Sequence, residues 1–379
     1  MSTVISGAVA PGFERVRDEF AANFGRDDAY REVGASLAVY RGEALVVDLW
    51  GGWRDAEQTT PWTPDTLVNV WSTTKGVTAI AVARLVDQGW LDYAAPVARY
   101  WPEFAQNGKA EITVSQLLSH QAGLPGFDAA TALADFYDWN TVTGRLAAQA
   151  PMWPPGTKNS YHAMTFGFLA GELIRSASGL SVGQFLAHDV AGPLGADVFI
   201  GLPQAEEARV SPLIAPRITA AFDLDAMAPE ARVALTNPLM EPTLCNARAW
   251  RAAEVPAGNG QASARGLARL YAAMANGGSM DGVRLMGRET VEAMIEVQTD
   301  RVDVLLGVAP QWGRGVTRNG VGVFGPEPGV FGHAGWGGSF GCGDLKTGLA
   351  VGYVLNQMGD RVVGDPRSVG LCEAIYACL

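Results

Sequence analysis

The chain has 379 residues, 48% of them hydrophobic and 18% charged, with a formal net charge of −11. That is enough for one large globular domain or two intertwined ones, and it excludes a disordered chain. The acidic balance, with basic residues scattered rather than in runs, argues against nucleic acid and anionic membrane as partners. No apolar stretch is long enough to span a bilayer.

The N-terminus, Met1-Ser2-Thr3-Val4-Ile5-Ser6, has no basic segment followed by an apolar core and a cleavage site, so no leader is expected. Cys245, Cys342, Cys372 and Cys378 lack disulfide-framework or metal spacing. A reduced, cytoplasmic protein is the simplest expectation. His120, His162, His188 and His333 are far apart and form no His-x-x-x-His pair, so no metal site is expected.

In chain order, Pro11 to Phe24 predicts an amphipathic helix with Phe13, Val16, Phe20 and Phe24 on one face. Gly34 to Tyr40 and Ala44 to Trp50 read as strands of a hairpin that turns at Arg41-Gly42-Glu43. Next comes Ser72-Thr73-Thr74-Lys75, followed by apolar residues at helical spacing as far as Gly89. Ser72 therefore opens a helix, and Lys75 lies one turn along on the same face. A serine hydroxyl needs a base within hydrogen-bond reach to act as a nucleophile. A lysine whose pKa is lowered by burial can be that base. The helix N-terminus favours an oxyanion beside Ser72.

From Gly89 to about residue 300 the chain reads mostly helical. Thr113-Val114-Ser115-Gln116 is a capping box. Helices are expected over Thr165 to Ser176 and Ser263 to Ala275. Between them, Pro154-Pro155-Gly156-Thr157-Lys158-Asn159-Ser160-Tyr161 is a turn-rich loop that ends in a tyrosine able to exchange protons with Ser72 and Lys75. His120 is expected to be a packing residue, and His188 a surface one. The chain then returns to strands. Val330 to His333 opens the glycine-rich run Phe331-Gly332-His333-Ala334-Gly335-Trp336-Gly337-Gly338, read as an edge strand lining a cleft. Leu349 to Leu355 is a further strand, and Asp365-Pro366 opens a final helix through Leu379. Strands at both ends predict one sheet built from both termini.

The order Ser72-x-x-Lys75, Tyr161 after a Pro-Gly loop, then His333-x-Gly335 resembles the serine β-lactamase and penicillin-binding-protein superfamily. Within it the chain is similar to the family VIII carboxylesterases, relatives of class C β-lactamases. Supporting matches are Leu117-Leu118-Ser119-His120-Gln121-Ala122-Gly123-Leu124, Pro193-Leu194-Gly195 and Ala264-Arg265-Gly266-Leu267-Ala268. The resemblance implies a β-lactamase-like α/β fold, an antiparallel sheet flanked by helices. Residues 1–88 and 301–379 would form the sandwich, 89–300 the inserted helical domain, with the active site between them. It implies Ser72 as nucleophile, Lys75 and Tyr161 as proton relay, and the backbone N–H groups of Ser72 and Trp336 as oxyanion hole. Substrate is expected to meet His333, Gly335, Trp336, Trp153 and His162. No cofactor is implied, and the partner is a small ester.

Two departures from the β-lactamase pattern favour esters without negative charge. The usual Tyr-x-Asn is Tyr161-His162-Ala163, and the lysine of the third triplet is His333. The expected activity is hydrolysis of short-chain acyl esters with weak β-lactam hydrolysis. A D-amino-acid peptidase, an acyltransferase and a non-catalytic penicillin-recognising protein are the alternatives. Two segments mimic other sites. Gly337-Gly338-Ser339-Phe340-Gly341 matches the α/β-hydrolase elbow, but a turn starting at Cys342 and no helix is expected after it. Lys346-Thr347-Gly348 reads as a solvated hairpin turn.

Overall fold

The computed structural model describes residues 3–218 and 226–379. Met1 and Ser2 of the N-terminal stretch, and residues 219–225 of the helical segment, lie outside it. A seven-stranded sheet runs in the order Ile5–Val9, Ala44–Gly52, Gly34–Arg41, Leu349–Leu355, Phe340–Asp344, Phe331–Ala334, Thr317–Arg318. Every neighbouring pair is antiparallel. The two chain ends meet at its centre, where Val351 stands opposite Val39 and pairing runs from Leu349–Arg41 to Leu355–Ala35.

Side chains of a strand alternate between faces, so a central strand covered on both sides must be apolar throughout. Leu349, Val351, Tyr353 and Leu355 pack on the face covered by the Glu14–Phe24 and Pro366–Tyr376 helices, together with Ala35, Leu37 and Val39. Ala350, Val354, Ala38 and Tyr40 join the larger core on the other face. There the Ala264–Ala275 helix lies close to the sheet. A Cβ on Gly352 would come within 2.3 Å of the Ala264 carbonyl oxygen, and one on Gly341 within 2.3 Å of the Tyr271 ring. Glycine at these strand positions permits the approach. The Thr73–Asp87 helix has 12 of its 15 residues buried, as befits a helix apolar on all sides.

The structure departs from the sequence reading in three places. Ile5–Val9 is an edge strand whose small residues gave no alternating signal. Phe340–Asp344 is a strand, so the turn begins at Leu345 rather than at Cys342. Its two glycines carry weak strand propensity, but pairing on both sides decides the conformation. The Phe331–Ala334 strand is not the edge, because Thr317–Arg318 pairs outside it. The Ala264–Ala275 helix, placed by the 89–300 boundary in the helical part, packs on the sheet, and we propose that the sheet unit takes it in. Among the described residues, no helix is long and apolar enough to cross a membrane.

Candidate active site

Ser72 stands at the N-cap of the Thr73–Asp87 helix with φ −67° and ψ −12°, and its side chain makes no capping bond. The preceding residue, Trp71, is held at φ +43°, so the chain turns sharply into the helix at this point. The Ser72 hydroxyl is thus left for another partner. Lys75 Nζ lies 2.9 Å from Ser72 Oγ and donates to the Ala257 carbonyl 2.8 Å away. Lys75 is fully buried, and desolvation pushes its pKa well below the ordinary lysine value. A neutral amine has two N–H donors and one lone pair. One donor serves Ala257, and the lone pair can take the Ser72 proton.

The Ala257 carbonyl is itself anchored. Asn259 bonds the Val255 N–H and the Trp250 carbonyl, each at 2.9 Å, and Thr78 donates to the Pro256 carbonyl at 2.7 Å. Ala257 was not foreseen, because a backbone acceptor leaves no side-chain signature in sequence.

Tyr161 is buried, with Lys75 Nζ 4.7 Å from its ring centroid. Burial raises its pKa above that of an ordinary phenol. Neighbouring Ser72 tempers the rise, although the phenol oxygen completes no hydrogen bond. Burial thus favours the protonated phenol and the neutral amine. His333 is buried, and its Nδ1 engages the Ala334 carbonyl at 2.8 Å while Nε2 has no partner. Desolvation, then Lys75, brings its pKa down to about 3, so the ring is neutral.

The glycine-rich strand reaches the nucleophile because Gly335 has no side chain. A Cβ there would come within 2.2 Å of the Val70 carbonyl oxygen. Among the described residues, neither the Ser72 nor the Trp336 N–H donates to a protein acceptor. Just beyond, Arg367 donates to the Gly337 carbonyl at 2.8 Å and Ser368 to the Gly338 carbonyl at 2.6 Å. Both come from the C-terminal helix. The Trp336 ring lies 5.2 Å from that of Trp71.

A narrow cleft opens beside Tyr161, His333 and Trp312. Leu306, Val308, Pro310, Val323, Phe324 and Val363 form much of its wall, and its lining includes no Asp, Glu, Lys or Arg. Trp153 and His162 do not line it. The Trp153 indole donates to the Lys158 carbonyl at 3.0 Å. His162 Nδ1 engages the Ser160 carbonyl at 2.7 Å, and Nε2 accepts the Leu124 N–H at 3.1 Å. Both rings brace the Tyr161 loop, and both ring nitrogens of His162 are engaged within the protein.

His120 sits among Tyr161, His162, Phe166 and Trp312, accepting the His162 N–H at Nδ1. His188 is mostly exposed. Ser339 lies between two strands with no helix after it, and Lys346 reaches out to Glu327 at 2.8 Å. No His/Cys/Asp/Glu group able to hold a metal was found among the described residues.

The fold and this cluster define an esterase/β-lactamase-like serine hydrolase. The chain belongs to the Beta-lactamase family, whose model matches residues 18–371. The esterase/beta-lactamase LipL of Mycobacterium tuberculosis is 38% identical over 380 residues, covering 93% of this chain and 83% of the relative. The crystal structure of a family VIII carboxylesterase superposes with a TM-score of 0.94 at 46% identity, covering 99% of this chain and 100% of the other. A penicillin-binding protein homologue from Caulobacter crescentus gives the same TM-score at 42% identity, with the same coverage.

Proposed function

We propose that the protein hydrolyses small, uncharged carboxylic esters through an acyl-enzyme on Ser72. The observation that carries this reading is the 2.9 Å approach of the buried Lys75 amine to the Ser72 hydroxyl. Ser72 Oγ attacks the ester carbonyl as its proton passes to Lys75. The carbonyl oxygen becomes an oxyanion in front of the Ser72 and Trp336 N–H groups. As the tetrahedral intermediate collapses, the carbonyl–alkoxide bond breaks, and Tyr161 gives its proton to the leaving alcohol, drawing one in turn from Lys75. Water then repeats the sequence on the acyl-enzyme and releases the acid.

An uncharged substrate follows from the cleft, whose lining offers no cation for a carboxylate and no anion for the ammonium of an amino-acid amide. β-Lactams carry such a carboxylate. Ala163 and neutral His333 give it nothing to pair with, so slow turnover of a reactive cephalosporin is part of the reading.

Labelling with a fluorophosphonate probe, followed by peptide mass spectrometry, tests the nucleophile. The adduct belongs on the peptide containing Ser72. An adduct elsewhere, or none on a folded protein that lacks esterase activity, would reject the reading.

A further inference from the structure

Behind Tyr161 lies a carboxylate with no part in the reaction just described. Asp303 is fully buried and pairs with no Lys, Arg or His among the described residues. Neutral donors saturate it instead. Its Oδ1 accepts the N–H groups of Tyr161 at 3.0 Å, Leu305 at 3.0 Å and Leu306 at 3.1 Å. Its Oδ2 accepts the Trp312 indole N–H at 3.1 Å and an Asn159 amide hydrogen at 3.3 Å. The Asp303 backbone closes the same loop, donating to Val308 and accepting from Gly307, each at 2.8 Å.

Those bonds join two parts of the site. One is the backbone of Tyr161. The other is the 303–312 loop, which carries Leu306, Val308, Pro310 and Trp312 into the cleft wall. The Trp312 ring lies parallel to that of Tyr161, with 5.6 Å between centroids and 5° between planes. One carboxylate thus holds the tyrosine by its backbone and the ring stacked upon it by its indole nitrogen.

We propose that Asp303 is a positioning residue that fixes Tyr161 and the apolar cleft wall as one unit and sets a carboxylate charge beside the phenol that serves as proton donor. The proposal rests on the reading of Tyr161 given above. The other titratable groups facing Tyr161 are Lys75 from the nucleophile helix, His120 from the loop after Leu118, and His333 from the glycine-rich strand. Burial lowers the pKa of all three, which pushes each towards its neutral form beside the Asp303 carboxylate. Its field adds to burial in raising the Tyr161 pKa.

The test is Asp303→Asn, which keeps the shape. If the amide oxygen stays on the three backbone N–H groups, its NH₂ faces two donors, Trp312 and Asn159. The expected result is a fall in kcat of roughly 10- to 100-fold, the scale of a displaced catalytic group. The alkaline limb of the kcat profile should move to lower pH, because the phenol loses the charge that opposes its ionisation. Fluorophosphonate labelling of Ser72 should persist, since the Ser72–Lys75 pair is untouched. That separates failure of this proposal from failure of the esterase reading. A purely structural role would lower the melting temperature and leave the alkaline limb in place. A folded variant with an unmoved limb, or with kcat near wild type, overturns the proposal.

Trp312→Phe is the second variant. It keeps the carboxylate and the stacked ring but removes one donor. It should cost kcat only a few-fold with the limb unmoved, and a limb that moves in Trp312→Phe would equally overturn the role of charge. Should Asp303→Asn not fold, a Trp312→Phe enzyme with kcat unchanged would overturn the positioning role.

Discussion

The Ser339 hydroxyl donates to the Val70 carbonyl at 2.9 Å, two residues before the nucleophile. Ser339 Oγ also lies 3.1 Å from Thr73 Oγ1, and its backbone carbonyl accepts from Gly335 at 2.7 Å. The serine that imitates an α/β-hydrolase nucleophile is a brace between the glycine-rich strand and the approach to Ser72. Ser72→Ala should abolish ester hydrolysis and probe labelling. Ser339→Ala should keep most of the activity and label on the same peptide, with some loss of stability from a missing buried hydrogen bond, about 1 kcal/mol. A dead Ser339 variant beside an active Ser72 variant would reverse the assignment.

Lys75→Ala and Tyr161→Phe should each lower kcat about 10²-fold or more, the usual scale for acid–base partners. The acid limb of kcat/KM should follow deprotonation of Lys75 and lie well below the ordinary lysine value, because desolvation disfavours its charged form. Activity therefore rises with pH through that limb. A Tyr161→Phe enzyme with near-normal turnover would remove the phenol from the relay.

Much of this site could be read from the sequence because its reactive groups are side chains at fixed spacing. Ser72 and Lys75 share a helix face, and a helix preserves a three-residue separation whatever surrounds it. The central strands were equally legible, since Val39 and Val351 lie in unbroken apolar runs. What escaped depends on contacts between distant segments. The Ala257 carbonyl is backbone, identical in chemistry at every residue. Asp303 and Trp312 look like ordinary loop residues until the fold brings them beneath Tyr161. For Trp153 and His162, nearness in sequence to Tyr161 does not say on which side of the loop a ring packs.

A chromogenic cephalosporin should be hydrolysed slowly, and p-nitrophenyl acetate faster. Ala163→Asn with His333→Lys should shift the ratio of kcat/KM values towards the cephalosporin, since the pair restores an amide and a cation. The gain comes with a cost visible in the structure. His333 is buried near enough to Lys75 for the two to repel when charged, so a lysine there should also lower stability and slow ester turnover. A wild-type enzyme that prefers cephalosporins to simple esters would make β-lactamase the better description.

Glu32 offers a prediction on stability. It is fully buried against Tyr353 and Arg367, and desolvation raises its pKa to about 7 from the ordinary 4.5. Between those values the folded protein holds a proton that the unfolded chain has released. This group's contribution to stability therefore falls as pH rises across the window. Glu32→Gln removes that dependence. Urea midpoints should favour the variant increasingly from pH 4.5 to 7, by on the order of 2 kcal/mol. An unchanged difference between the two proteins across that range would show that Glu32 stays ionised.

The grip of Arg367 on the Gly337 carbonyl bears on how the protein is made. The same guanidinium lies 3.2 Å from Glu32 and 2.8 Å from Asp365, so it draws together residues from opposite ends of the chain. Translation delivers Ser72, Lys75 and Tyr161 well before the Arg367 segment that steadies the strand beside them. A nascent chain thus carries those side chains before the site around them can close, and assembly of the site waits on Arg367.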